Sequence, residues 1–188
     1  MNVKLKIPST LDDITVGQHQ AIQNLLKEET LTGKDLDDEI LKIVLNYNSI
    51  NGISAKDRNL LIKDIDIALK KEGTFYNKFT LNGIEFGLIP NFDKISDGEY
   101  TDLIKYSKND EDLHRFLAVA YRPTKLKDVF KNYTIVNYEG TEFNAERMKG
   151  LPMSIANGVK GFFLTLSVDL LNHIQKSTEE EQVKELTH

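Results

Sequence analysis

The 188-residue sequence contains no cysteine. Without thiols the chain forms no disulfide and offers no thiolate ligand, which excludes the disulfide-rich scaffolds and the cysteine-based zinc sites. Long hydrophobic runs are also missing. The longest apolar stretch, Ile155–Leu171, is interrupted by Asn157, Lys160 and Asp169. A Lys or Asp at mid-span costs about 2.5–3.5 kcal/mol on insertion scales, so we expect no membrane span.

Basic residues show no excess over acidic ones. The formal net charge is −5, and lysines are interspersed with Asp and Glu along the chain. Because proteins that bind nucleic acid usually carry a basic face or stripe, we expect no nucleic-acid partner. The first eight residues alternate polar and apolar side chains and lack the continuous hydrophobic stretch of a signal peptide. We therefore expect cytoplasmic synthesis.

The residue patterns of common catalytic and cofactor sites are missing as well. The sequence has neither a glycine-rich phosphate loop nor a nucleophile elbow. Its four histidines lack the spacing of zinc ligands. We interpret His19 as partly exposed in a first helical turn and His114 as lying on a solvated helix face. We predict no enzyme activity, no cofactor and no metal site, although an enzyme built from scattered residues is left open.

The hydrophobic pattern predicts an α+β fold that is mainly helical and has a small antiparallel sheet. The clearest signal is a hairpin over residues 79–89, where Asn82-Gly83 separates two alternating apolar runs. This dipeptide favours a type I′ turn because both central residues need positive φ. Alternation of polar and apolar residues also predicts strands near residues 3–7 and 133–138.

Capping signals and helical spacing predict several helices. Thr15 with Gln18 and Ser96 with Glu99 fit capping boxes. The helix after Ser96 carries apolar residues that we expect to point inward: Tyr100, Leu103 and Ile104. The next helix stops at Pro123 and carries Leu113, Phe116, Leu117 and Ala120. The longest predicted helix runs from Ser154 to about Lys176.

The two halves of the sequence resemble each other. Ile7-Pro8 followed by the helix start at Thr15 has a counterpart in Ile89-Pro90 followed by the helix start at Ser96. Such similarity suggests an internal duplication, but short helical patterns also match by chance. We predict a single domain over residues 1–176. If the duplication is real, this domain consists of two pseudo-repeats, residues 1–73 and 78–176. Residues 177–188 are predicted to form a polar C-terminal tail.

Two segments are candidates for contact with a partner. Tyr121 and Arg122 follow an apolar helix and precede a proline, so the Arg122 guanidinium could bind a partner carboxylate in bidentate fashion. The alternative, which we favour, is a helix-terminal cation that bonds its own carbonyls. In the last helix, Gly158 and Gly161 each cost roughly 1 kcal/mol relative to alanine. With Thr165 they belong to a small-residue stripe, which is typical of close approach by another backbone, from the fold or from a partner.

Several segments together are similar to a family of phage proteins. These segments are Ile7-Pro8 with the helix start Ile14–Gln18, the hairpin Phe79–Ile89, Asn91–Tyr100, Leu113–Pro123 and the helix containing Phe162-Phe163-Leu164. In layout they resemble tail-assembly chaperones and related virion-assembly proteins, which are short, acidic and encoded near tail genes. The resemblance implies a non-enzymatic partner of the apolar tape-measure protein or of tail-tube subunits, acting in the host cytoplasm. These chaperones are often mainly helical, so the predicted strands are a departure.

Two other functions are alternatives to that of a chaperone. A structural component, such as a neck, ring or baseplate subunit, would be retained in the virion through large obligate interfaces, above about 2,000 Å². A small regulator or enzyme would show a deep pocket lined by titratable groups with perturbed pKa values. An assembly chaperone should expose an apolar groove or patch of more than roughly a few hundred Å². Association into a homo-oligomer is left open.

Overall fold

The computed structural model describes residues 8–28, 30–127 and 133–165. These residues are mainly helical and contain a four-stranded antiparallel sheet, which confirms the predicted α+β class. The helices are α1 Val16–Lys27, α2 Gly33–Leu45, α3 Ala55–Leu69, α4 Asp97–Tyr106, α5 Leu113–Ala120, α6 Glu142–Met148 and α7, residues 153–165. The strands are β1 Lys78–Leu81, β2 Ile84–Leu88, β3 Tyr121–Lys127 and β4 Tyr133–Ile135. The predicted strand near residues 3–7, the end of the last predicted helix and the tail 177–188 lie outside the described residues.

The two predicted capping boxes begin α1 and α4. The Thr15 N–H donates to Gln18 Oε1 at 2.9 Å, and the Gln18 N–H donates to Thr15 Oγ1 at 3.2 Å. At α4 the Ser96 N–H donates to Glu99 Oε2 at 2.7 Å, and the Glu99 N–H donates to Ser96 Oγ at 3.3 Å. Each box is preceded by a 3₁₀ turn, Leu11–Asp13 or Phe92–Lys94. The two helix starts therefore share local structure, while the duplication itself stays a prediction.

The predicted hairpin is confirmed as β1 and β2. Phe79 pairs with Phe86 across the ladder, and their rings stack with centroids 5.6 Å apart. Asn82 and Gly83 have φ angles of 50° and 78°, as a type I′ turn requires. The sheet order is β1-β2-β3-β4, and β4 lies in the segment predicted as the strand 133–138.

Strand β3 is the element that the sequence interpretation missed. Helix α5 ends at Ala120, and Tyr121 begins the strand at once, pairing with Leu88 of β2. The prediction that the helix stops before Pro123 is confirmed, but Pro123 is itself a residue of the strand. It has no N–H to donate, yet its carbonyl accepts from the Val136 N–H at 2.9 Å. The pairing of β3 joins segments far apart in sequence, so local propensity does not reveal it.

Helix α7 lies directly on the chain that leads into β1. The Thr74 N–H donates to the Ser154 carbonyl at 2.9 Å, and the Phe75 and Phe162 rings stack with centroids 4.5 Å apart. Buried side chains between Leu11 and Val159 belong to one hydrophobic cluster. Both predicted pseudo-repeats therefore contribute to the same core. None of the described helices has the length and apolarity needed to cross a membrane.

Candidate protein-binding groove

Helices α4 and α7 form the walls of an apolar groove of about 650 Å³. Its floor consists of the buried side chains of Leu103, Leu113 and Phe116. The Phe163 ring packs edge-on against Phe116 at 5.2 Å and against Phe92 at 5.3 Å. Because these rings contact one another in edge-to-face geometry, the floor is a packed apolar surface.

Large apolar side chains remain exposed along the rim of this groove. Tyr100 is 59% exposed, Ile104 is 47% exposed and Leu164 is 69% exposed, and all three line the groove. The expectation that Tyr100 and Ile104 point into the core is therefore wrong, whereas Leu103 is buried as predicted. The apolar arc of α4 is wider than the surface that α5 covers, so its remaining side chains face the open groove.

The charged groups of the lining are engaged with each other and with a neighbouring histidine. Lys160 Nζ lies 2.6 Å from Asp110 Oδ1, and His19 Nε2 lies 4.0 Å from Asp110 Oδ2. The hydrogen bond from Lys160 lowers the pKa of Asp110 despite its partial burial. Burial lowers the pKa of His19 despite the nearby Asp110 charge. At neutral pH the carboxylate is ionised and the imidazole is neutral.

His114 is buried, which differs from the solvated position expected for it. The Gln20 side chain of α1 reaches into the start of α5, where its Nε2 lies 3.0 Å from His114 Nδ1. The same amide donates to the carbonyls of Asp110 and Glu111. Burial is the main cause that lowers the pKa of His114. No group of three or more His, Cys, Asp or Glu side chains suited to a metal ion occurs in the part of the chain that the structure describes.

Arg122 and Tyr121, predicted as partner contacts, lie inside the fold. Arg122 is 7% exposed and forms an ion pair with Glu99 of α4. Its guanidinium also lies 5.6 Å from the centre of the Tyr138 ring. The Tyr121 hydroxyl donates to the Tyr76 carbonyl at 2.6 Å. Both side chains are buried where they stand in β3, so the predicted contact with a partner is wrong. The favoured alternative for Arg122, a helix-terminal cation that bonds its own carbonyls, is also wrong, because Arg122 belongs to the strand and pairs with Glu99.

Glu99 therefore has two functions in the fold. It completes the capping box with Ser96 and neutralises the buried Arg122. Burial by itself raises the pKa of Glu99, but the hydrogen bonds from Ser96 and the charge of Arg122 outweigh burial, so the net pKa lies below its usual range. The sequence showed the cap but not the cation that the cap carboxylate binds.

The small-residue stripe of α7 is divided between the core and the groove. A Cβ on Gly158 would lie 2.2 Å from the Thr74 carbonyl oxygen, so the close backbone approach predicted there occurs within the fold. Gly161 lines the groove, and a Cβ on it would meet no atom within 4 Å. Thr165 is exposed and donates its hydroxyl to the Gly161 carbonyl at 3.0 Å. Of the predicted contact residues, Gly161 is the one that lies in the groove lining.

Comparison of the chain with protein-family models, curated proteins and solved structures finds no match. The groove residues Tyr100, Ile104 and Leu164 had not been singled out as contacts. Their signal in the sequence was the apolar spacing of α4 and α7, which does not distinguish a side chain that packs in the core from one that lines an open groove.

Proposed function

We propose that this chain is a non-enzymatic assembly factor that binds an apolar segment of another protein in the α4–α7 groove. The observation that carries the proposal is the exposure of Tyr100, Ile104 and Leu164 above a buried apolar floor. Scattered exposed apolar residues are normal on protein surfaces, but a group of them around one groove is typical of a binding site.

The nature of the lining favours an apolar ligand. The charged side chains among the described residues that line it are Asp110 and Lys160, and each already has the other as its partner. A bound apolar segment would cover the exposed rim without separating this pair. Together with the resemblance to tail-assembly chaperones, this supports a tape-measure or tail-tube protein as the partner, held before it enters the tail.

The test is a double substitution at the rim, Ile104→Asp with Leu164→Asp. Ile104 is about half exposed and Leu164 is mostly exposed, so the fold should persist, and circular dichroism with thermal unfolding checks that it does. We expect co-purification with the co-expressed tape-measure or tail-tube protein of the same phage to fall roughly tenfold or more, since two apolar side chains that would be covered by the bound segment are replaced by charges.

The matched control carries the same substitutions at exposed apolar positions outside the groove. Leu60 on α3 is 51% exposed and Phe143 on α6 is 80% exposed. The variant with Leu60→Asp and Phe143→Asp should retain full binding. Equal binding by both double variants would overturn the assignment of the groove. Stoichiometric recovery of the chain from purified virions would favour the structural-component alternative instead.

A further inference from the structure

The sequence contains Asn-Gly dipeptides at residues 51–52, 82–83 and 157–158. An asparagine before a glycine can lose its side-chain amide without an enzyme, because glycine has no side chain to hinder attack by its backbone nitrogen on the preceding Asn side chain. We infer that Asn51 is the site at which the folded chain undergoes this deamidation, to a mixture of aspartate and isoaspartate. The inference is independent of the proposed function.

The reaction consumes water and releases ammonia. The Gly52 backbone nitrogen, after losing its proton, forms a bond to Asn51 Cγ, and the bond between Cγ and Nδ2 breaks as ammonia leaves. The product is a cyclic succinimide, which water opens at either of its carbonyls. Cleavage of the new bond to Cγ gives aspartate. Cleavage of the original peptide bond gives isoaspartate, in which the main chain runs through Cβ.

Ring closure requires rotation of the asparagine backbone. The nitrogen of the next residue reaches Cγ only when ψ of the asparagine leaves both the right-handed and the left-handed helical regions. Hydrogen bonds and packing that hold the two residues in such a conformation oppose this rotation. The rate at each Asn-Gly pair therefore depends on how easily its segment opens locally.

Asn51 and Gly52 are both exposed, in the connection between α2 and α3. The Ile53 N–H donates to the Ile50 carbonyl at 2.9 Å and closes the turn that contains them. Among the described residues, neither the Asn51 side chain nor the Gly52 N–H has a hydrogen-bonding partner. A Cβ on Gly52 would meet no atom within 4 Å. Rotation at Asn51 therefore displaces little besides the bond that closes its turn.

The pair in the β1–β2 hairpin is held more firmly, although it is also exposed. Asn82 and Gly83 have the positive φ angles of a type I′ turn, and Leu81 pairs with Ile84 where the ladder begins. Rotation at Asn82 removes the backbone geometry that joins the two strands. The hairpin must open for this site to react.

The pair in α7 is held by packing as well as by the helix. Gly158 is buried, and a Cβ on Gly73 would lie 2.2 Å from the Gly158 nitrogen. Rotation at Asn157 would interrupt the helical hydrogen bonds and displace α7 from residues 73–75. We expect this pair to be protected in the folded chain.

Conversion of Asn51 alters the connection that positions α3. Ile50, the preceding residue, is 3% exposed and belongs to the core. Ser54 caps α3, where its Oγ accepts from the Asp57 N–H at 3.1 Å. Isoaspartate adds a main-chain carbon between the buried Ile50 and the Ser54 cap. Because the packed core permits little displacement, we expect the isoaspartate form to unfold at a lower urea concentration than the fresh chain.

Peptide mapping of the full chain after incubation in mildly alkaline buffer tests the inference. Trypsin places the three pairs in separate peptides, residues 43–56, 79–94 and 150–160. We expect the mass gain of amide-to-acid conversion to accumulate in peptide 43–56 at least roughly tenfold faster than in the other two. Fragment spectra should place it at Asn51, and an isoaspartate assay should detect the isomer in the same peptide.

The chain in denaturing urea is the matched comparison, since all three pairs should convert at similar rates once the fold is lost. Equal conversion of Asn82 or Asn157 in the folded chain would overturn the inference. So would an unreactive Asn51 under conditions in which the denatured chain converts.

Gly52→Ala tests the route through the Gly52 nitrogen. The added methyl group hinders the attack, so conversion of Asn51 should fall roughly tenfold or more. Circular dichroism checks that this variant is folded. Unchanged conversion in the folded variant would overturn the succinimide route. An aged chain that is converted at Asn51 and unfolds at the same urea concentration as the fresh chain would overturn the expected loss of stability.

Discussion

Two glycines on one helix have opposite relations to their surroundings. Gly158 faces the backbone of Thr74 and Phe75, at distances where no side chain fits. Gly161, three residues later, faces open space in the groove. The helix pays the same propensity cost at both positions, roughly 1 kcal/mol relative to alanine. Only at Gly158 does packing in the described fold compensate for it.

Alanine substitution should therefore change stability in opposite directions. Gly161→Ala should raise the free energy of unfolding by about 0.5–1 kcal/mol, because helix propensity improves and nothing is displaced. Gly158→Ala should lower it by about 1–3 kcal/mol, because the backbone of residues 74–75 must move. Urea denaturation measures both. A loss of stability in Gly161→Ala would show that its surroundings are filled.

At the scale of elements, polar side chains connect helices that are separate in sequence. Gln18 closes the capping box of α1, and its amide also donates to the Ile43 and Val44 carbonyls at the end of α2, at 3.1 and 3.0 Å. The N–H groups of Val16 and Gly17 donate to carbonyls of Leu151 and Lys149, each at 2.8 Å. The N–H and carbonyl groups that have no partner within their own helix are thus hydrogen-bonded by residues from elsewhere in the fold.

The type I′ turn of the β1–β2 hairpin can be tested by substitution of its glycine. Gly83 has a φ of 78°, where a Cβ costs about 1–2 kcal/mol. Gly83→Ala should therefore lower the free energy of unfolding by about that amount, measured by urea denaturation. Gly52→Ala is the control, since Gly52 has no positive φ and open space around it. It should change stability by less than about 0.5 kcal/mol; equal effects would contradict the type I′ assignment.

Across the whole molecule, two histidines couple folding to pH, His114, which is buried, and His19, which is partly buried. His114 of α5 packs against Gln20 of α1, and His19 lies beside Asp110 and Lys160. Both have pKa values lowered chiefly by burial. Below about pH 6.5, the ordinary histidine pKa, the unfolded chain takes up protons more readily than the folded one. Their contribution to stability is therefore present above that pH and decreases as pH falls toward their folded pKa values.

The expected result is a decrease in the free energy of unfolding between pH 7.5 and 5.5. Each unit of pKa difference corresponds to about 1.4 kcal/mol, which urea titrations resolve. A variant with His19→Gln and His114→Gln should show a flatter profile over this range. The carboxylate of Glu99, with its lowered pKa, affects stability only at more acidic pH. An unchanged slope in the double variant would assign the pH dependence to other groups.

The local features of the fold were predictable from the sequence. Both capping boxes and the Asn82-Gly83 hairpin are confirmed, because each depends on residues within a few positions of one another. Strand β3 was missed because its partner β2 lies more than thirty residues earlier, as in the pairing of Tyr121 with Leu88. Hydrogen bonds between distant strands leave little trace in local propensity.

By itself the sequence determined the helix starts, the turn and the mainly helical α+β class, since chain stereochemistry and apolar spacing act over short distances. Only the tertiary structure decided that Arg122 is buried against Glu99 and that Gly161 lies in a groove. Amphipathic spacing shows which side chains are apolar. Which of them are covered depends on the surface that neighbouring elements supply, and for Tyr100 and Ile104 that surface ends at the open groove between α4 and α7.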